Sequence, residues 1–248
     1  MHTPRFYVPV PLAAGDSCPL PESVAHHALR VLRLRVGDAI QVFNGSGVQH
    51  SAKIEHVQGG ACSVRLAEAE YPKVESELEI TLGQGLTQSD KFDWVLQKAV
   101  ELGVKRIVPL QMKRSIVRLD QERALKKRGH WQGVVVGAAE QSGRVTVPEV
   151  QDLKNMEEWI ATLPPEGLRV RLAPEIKLSF SSLKLPPQGV ILVVGPEGGF
   201  DPVEIQQLEA AHFISVSLGP RILRTETAAL AAIASLQSWF GDFRSTSF

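Results

Sequence analysis

The chain has 248 residues, 44% of them hydrophobic and 22% charged, and its 27 Lys and Arg balance its 27 Asp and Glu. That composition is ordinary for a water-soluble globular fold and excludes a chain kept unfolded by its own charge. Cys18 and Cys62 are the two cysteines; they offer neither a disulfide framework nor metal-ligand spacing, so no metal is expected. The N-terminus has no long apolar core, and no apolar run approaches bilayer length. A cytoplasmic protein without a membrane partner is expected.

Residues 1–72 read as short strands punctuated by turns. Phe6–Val8, Ala39–Phe43 and Cys62–Leu66 are strand-like, and Asn44–Gly47 and Gln58–Gly60 are turn clusters. A helix is expected over Glu22–Leu32, with Arg30, Arg33 and Arg35 grouped at its end. The pattern predicts a small β-barrel. The polar stretch Glu68–Glu77, with Pro72 inside it, reads as a linker and places a second domain at 73–248.

The texture then changes. Strands are expected at 78–82, 106–110, 168–172, 190–194 and 213–217. Asp90, three residues before Asp93, resembles a helix N-cap, and Gly103 a helix stop. Glu122–Gln141 reads as a long helix. Asp201-Pro202-Val203-Glu204 is a strong helix start, because Asp caps, Pro takes the first helical position and Glu closes the box. Thr225–Phe240 reads as an alanine-rich helix. Strands alternating with helices predict an α/β fold around a parallel sheet covered on both faces.

Between Lys105 and Arg128 nine basic residues face two acidic ones, which is either a polyanion surface or a solvated helix face. The loop Gly195-Pro196-Glu197-Gly198-Gly199-Phe200 follows the apolar run Val190–Val194. It lacks the lysine and the spacing of the common phosphate loops, so it reads either as a tight turn or as a backbone cradle for an uncharged, nucleoside-like ligand. A second loop, Leu218-Gly219-Pro220-Arg221-Ile222-Leu223-Arg224-Thr225-Glu226-Thr227, follows Phe213–Ser217. Arginine is disfavoured at a helix N-terminus by the macrodipole, so Arg224 points to a role other than helix stability: meeting an anion or orienting a base. Glu226 is either an ordinary first-turn acid or a functional one. In a parallel α/β sheet ligands collect where strands end and helices begin, so two such loops in succession predict one shared site. Glu140-Gln141-Ser142-Gly143-Arg144 is a further polar cluster, read either as a plain helix end or as a substrate contact.

Taken together, Gly195–Gly199, Leu218–Ala228 and Glu140–Arg144 resemble the bacterial small-subunit (16S) ribosomal RNA uridine-N3 methyltransferases of the SPOUT superfamily. His26–Arg33 and Gln97–Gly103 extend the resemblance over essentially the whole chain. It implies a PUA-like RNA-binding barrel at 1–72, a trefoil-knotted methyltransferase domain at 73–248, S-adenosyl-L-methionine as cofactor, a homodimer, and small-subunit ribosomal RNA or the assembled subunit as partner. Carried over, the cofactor contacts are Leu172, Gly195, Pro196, Glu197, Gly198, Gly199, Leu218, Gly219, Ile222, Leu223, Arg224, Thr227 and Ala228. Arg224 is expected to stabilise the developing uracil oxyanion. Glu226 is expected to accept the N3 proton or hold the cofactor, with Glu197 as the alternative acceptor. RNA contacts are expected from Arg30, Arg33, Arg35, Lys113, Arg114 and Arg118, and from Glu140 and Arg144. Two other readings stay open: a related enzyme acting on transfer RNA or a ribose 2′-hydroxyl, and an RNA-binding factor without activity.

Overall fold

A computed structural model describes residues 3–176, 178–184 and 189–244. The chain divides into two compact units. One runs to Glu75 and takes in Ala139–Val147; the other comprises Ser76–Ala138 and Pro148 onward.

The first unit is built on a five-stranded sheet. Its strands are β1 (Arg5–Tyr7), β2 (Ser17–Pro19), β3 (Ala39–Phe43), β4 (Gln49–Gln58) and β5 (Ala61–Glu70), in spatial order β1-β3-β4-β5-β2. β1 pairs with β3 in parallel, and the remaining pairs are antiparallel. β4 and β5 form a hairpin about Gly59-Gly60, and the apolar face carried by Ile40, Val42, Ile54, Val64 and Leu66 closes on Phe6 and Val8. β4 escapes a search for hydrophobic runs because it is amphipathic: His50, Ala52 and Ile54 point inward while Lys53 and the strand's last residues stay wet. The expected helix is also modified. α1 spans Glu22–His26, and the chain widens into a π-helical turn over His27–Val31.

The second unit is a six-stranded, wholly parallel sheet. Its strands are β6 (Ile80–Gly85), β7 (Arg106–Leu110), β8 (Glu149–Val150), β9 (Leu168–Leu172), β10 (Val190–Val194) and β11 (Ile214–Val216), in the order β11-β9-β10-β6-β7-β8. The central strand β10 is buried throughout, as an all-β-branched and leucine run between two helical layers requires. The helices are α2 (Ser89–Glu101), α3 (Gln121–Ser142), α4 (Met156–Ala161), α5 (Pro202–Ala210) and α6 (Thr225–Phe240).

α5 carries the capping box read from Asp201 and Glu204. α2 starts two residues earlier than its sequence indicates: Gln88 occupies the N-cap without a side-chain bond, and Asp90 lies inside the first turn. β8 and α4 have no counterpart in the sequence reading. β8 has two residues, too few for periodicity, and α4 is one capped turn and a half, signalled only by the Asn155/Glu158 box.

The strand order positions the site. β11 lies at the sheet edge, two places from β10. The chain leaves it over residues 217–224 and begins α6 where Thr225 meets Gly195, just past the end of β10. At about 4.8 Å per strand that segment crosses in front of the carboxyl ends of β9 and β10, where an open α/β sheet has its crevice.

Candidate active site

The crossing segment and the loop after β10 enclose a cavity of about 610 Å³, within the range of small-ligand sites. Its walls are Leu172 to Glu175 after β9, Val194 to Glu197 with Gly199 and Phe200 after β10, Ile205 of α5, and Ile222 to Glu226 with Ala228 at the start of α6. Leu218, Gly219 and Arg221 line a small adjoining hollow that shares Leu172, Ile222, Leu223 and Ala228. The predicted contacts Leu172, Gly195, Pro196, Glu197, Gly199, Leu218, Gly219, Ile222, Leu223, Arg224 and Ala228 are therefore brought to one place from three strand ends. Gly198 and Thr227 stand just outside these walls.

The two loops are tied together by a hydroxyl. Thr225 Oγ1 donates to the Gly195 carbonyl oxygen, and Gln84 Nε2 donates to Thr225 Oγ1 at 3.3 Å. The 195–200 loop closes on itself through the Gly199 amide, which donates to the Pro196 carbonyl at 2.9 Å. Gly199 has φ +68° there, a conformation that glycine adopts without a Cβ penalty. Below the loop lies Gly85, the last residue of β6. A Cβ at Gly85 would stand 2.6 Å from the Pro196 nitrogen and 3.0 Å from the Gly195 carbonyl carbon, so only glycine lets this backbone seat on the sheet. Neither Gln84, Gly85 nor Thr225 stands out in the sequence, although a glycine inside a strand is itself a sign of close backbone approach.

Charge within the site is unevenly committed. Glu197 Oε1 lies 3.6 Å from Lys91 Nζ and accepts from the Gln88 amide at 3.5 Å, so this carboxylate is already engaged with the start of α2. Glu226 differs: its Oε2 is buried and has no hydrogen-bond partner among the described residues. A buried carboxylate oxygen is costly to leave unmatched, and this one borders a ligand-sized cavity. Arg171, on the same strand as Leu172, is 5% exposed, and its Nε likewise lacks a partner among the described residues. Arg224 occupies the N-cap of α6 with extended backbone and makes no side-chain capping bond, so the feature that set it apart in the sequence holds in three dimensions.

The expected RNA contacts separate into groups. Arg30, Arg33 and Arg35 are exposed in the first unit. Lys113, Arg114 and Arg118 follow β7 in the second unit and are exposed. Arg114 Nη1 donates to the Gly198 carbonyl at 3.3 Å, which puts this basic loop against the cavity rim. Further along the basic segment, Arg123 and Lys126 are paired with its own two acids, Asp120 and Glu122, and Arg128 with Asp152 beyond it, so an excess of positive charge remains.

Glu140 and Arg144 depart from the sequence expectation of RNA contact. Arg144 is 4% exposed and pairs with Glu75 at 2.7 Å. Glu140 accepts from the Tyr7 amide at 2.9 Å, and the Arg5 guanidinium donates to the Glu140 and Arg144 carbonyl oxygens. Burial pushes the Glu140 carboxyl up. Burial also opposes the charge of Glu75, yet the hydrogen bonds and charge of Arg144, with Thr146, outweigh it and lower Glu75 to about 2. These residues hold the 139–147 segment onto the first unit's sheet.

Comparison with known proteins agrees with this geometry. Residues 74–237 match the RNA methyltransferase domain family, and residues 20–67 match the RNA methyltransferase PUA domain family. The ribosomal RNA small subunit methyltransferase E of Buchnera aphidicola is 31% identical over 96% of this chain and 97% of its own length. The crystal structure of the corresponding Neisseria gonorrhoeae protein, bound to S-adenosyl methionine, superposes with a TM-score of 0.92 at 39% identity over 98% of this chain and 100% of that one. A putative methyltransferase of Legionella pneumophila, also in complex with that cofactor, gives a TM-score of 0.94 at 35% identity over 98% of this chain and 100% of that one. The chain therefore belongs to the RNA methyltransferase family and, within it, to the small-subunit ribosomal RNA methyltransferase E group.

Proposed function

We propose that this protein transfers a methyl group from S-adenosyl-L-methionine to N3 of a uridine in small-subunit ribosomal RNA, and that it does so as a cytoplasmic homodimer. Residues 1–72 serve as the RNA-holding domain and 73–248 as the transferase. The observation that carries the reading is the joining of the two loops at Thr225 and Gly195, which creates a cavity with backbone walls and an unmatched buried carboxylate oxygen at its edge. Glycine-lined backbone suits the flat face of a nucleoside, and the apolar side chains of Leu172, Ile222 and Leu223 suit its edges.

Bound there, the cofactor supplies an already activated methyl group on a sulfonium. The chain's task is then alignment and the handling of one proton. Uracil N3 bears a hydrogen at neutral pH and is a poor nucleophile until that proton leaves. Glu226 accepts it through Oε2, which has no partner among the described residues; Glu197, committed to Lys91 and the Gln88 amide, is the weaker candidate. Arg224 stands at the cavity mouth and stabilises the negative charge that spreads onto the uracil oxygens. Lys113, Arg114 and Arg118 bind phosphates beside the cavity, and Arg30, Arg33 and Arg35 bind them in the first unit.

Incubation with methyl-labelled cofactor and either isolated small subunits or transfer RNA, followed by nucleoside analysis, tests this directly. Label in N3-methyluridine from the small subunit is expected. Label only in transfer RNA or on ribose 2′-oxygens would replace the reading with another specificity.

A further inference from the structure

The end of the π-helical segment of the first unit and the turn that follows it carry three exposed apolar side chains that the fold does not use. Val31, Leu32 and Val36 are 61%, 42% and 60% exposed. They alternate with Arg30, Arg33 and Arg35, all exposed. Side chains this apolar on a mobile loop would mean little, but this turn is pinned at every step. The Leu32 amide donates to the His27 carbonyl, Leu34 to Ala28, Asp38 to Arg35 and Gly37 to Ile54. The Arg35 amide donates to Asp38 Oδ2 at 2.7 Å, and Leu34 packs into the core cluster. Arg33 is held at φ +56°, a conformation that L side chains rarely adopt. The turn therefore spends conformational freedom to hold apolar groups in water between cations.

We infer that Val31, Leu32 and Val36 form an apolar tip that inserts against unstacked bases of the RNA while Arg30, Arg33 and Arg35 grip the flanking phosphates. Charge complementarity selects the occupant: three exposed arginines bracket the tip, and the Asp38 carboxylate at the end of the turn is engaged by the Arg35 amide. Apolar wedges between cations are how proteins open stacked steps, and a uridine must leave its stack before its N3 can reach a pocket. The inference rests on the proposed RNA substrate and extends it from phosphate binding to local opening of the bases.

All four tryptophans, Trp94, Trp131, Trp159 and Trp239, belong to the second unit, so Leu32→Trp adds a reporter in the first unit that is read as the difference from the wild type titrated in parallel. Titration of the full-length variant with a single-stranded RNA oligonucleotide is expected to quench the added emission, and a blunt duplex of equal length to quench it less. The triple variant Val31→Ser/Leu32→Ser/Val36→Ser is expected to bind the single strand about tenfold more weakly, the equivalent of one lost base contact. Its slope of log affinity against log salt should be unchanged, whereas Arg33→Ala should reduce that slope by about 0.7. The inference is overturned if the triple variant binds single strands as the wild type does, or if the tryptophan is unmoved at saturating RNA. It is equally overturned if the wild type grips intact small subunits but not their deproteinised RNA and the triple variant loses that grip, since the tip would then face protein. Methyl transfer by the wild type, measured alongside, separates the two ideas: transfer with an inert tip removes only this inference, and no transfer removes the functional reading while the titrations still decide the tip.

Discussion

The Thr225 hydroxyl donates to the Gly195 carbonyl oxygen at 2.5 Å across 30 residues of sequence. This bond fixes the start of α6 against the loop after β10, and Gln84 from β6 completes it from behind. Thr225→Val keeps the shape and removes the hydroxyl, so the buried Gly195 carbonyl loses its donor and Gln84 Nε2 keeps only its bond to the Gly85 carbonyl. The expected cost is roughly 1–3 kcal/mol of stability, with cofactor affinity weakened about tenfold or more, while Thr225→Ser retains both. Thermal unfolding and calorimetric titration of the pair check this.

Arg224 acts on the transition state rather than on the cofactor in this scheme. Arg224→Ala is therefore expected to lower turnover about 10²- to 10³-fold, as loss of an oxyanion donor does elsewhere, with the cofactor dissociation constant little changed. Single-turnover kinetics combined with equilibrium binding separate the two effects. Equal turnover in the variant would remove the role.

Much of this site was legible because its side chains violate local rules. An arginine at the start of an alanine-rich helix opposes the helix dipole, and a glycine-rich loop after an all-apolar strand has no phosphate-loop lysine. The parallel sheet was legible from the same alternation of apolar runs and capped helices. The site's supports were not. Thr225 is one residue of the second loop with no role of its own in the sequence, and Gln84 and Gly85 fall beyond the strand expected at 78–82; their meaning appears only when β6, β10 and α6 are adjacent. Arg144 misled for the opposite reason. Its basic neighbourhood in sequence suggested a surface cation, but Glu75, 69 residues away, buries it. Long-range pairing of that kind leaves no local pattern.

Glu226→Gln preserves size and removes the proton acceptor. Turnover at neutral pH is expected to fall by about 10²-fold or more. The defect should shrink as pH rises, because uracil then loses its N3 proton to solvent. A pH–rate profile of the variant against the wild type tests the assignment; a defect constant across pH would make Glu226 a structural or cofactor-holding residue instead.

Glu75 links the first unit's stability to pH. Its carboxyl is lowered from 4.5 to about 2 in the fold, so the stabilisation is present above the unfolded value and is lost as pH falls through the folded one. The wild type is expected to lose stability between about pH 4.5 and pH 2. Glu75→Gln is expected to be less stable at pH 7 by about 3 kcal/mol, because it removes the carboxylate that pairs with the buried Arg144, and to show a shallower further fall in that acid window. Denaturant titrations at pH 7 and pH 3, followed by circular dichroism, report both.

Calorimetric titration with S-adenosyl-L-methionine of the wild type and of Gly85→Ala bears most directly on the shared-loop site. Saturable binding by the wild type is expected, with affinity lost in Gly85→Ala, because a methyl group there would meet the Pro196 nitrogen at 2.6 Å. A wild type that takes up no cofactor, or two proteins that bind it equally, would contradict the placement of the donor between these loops.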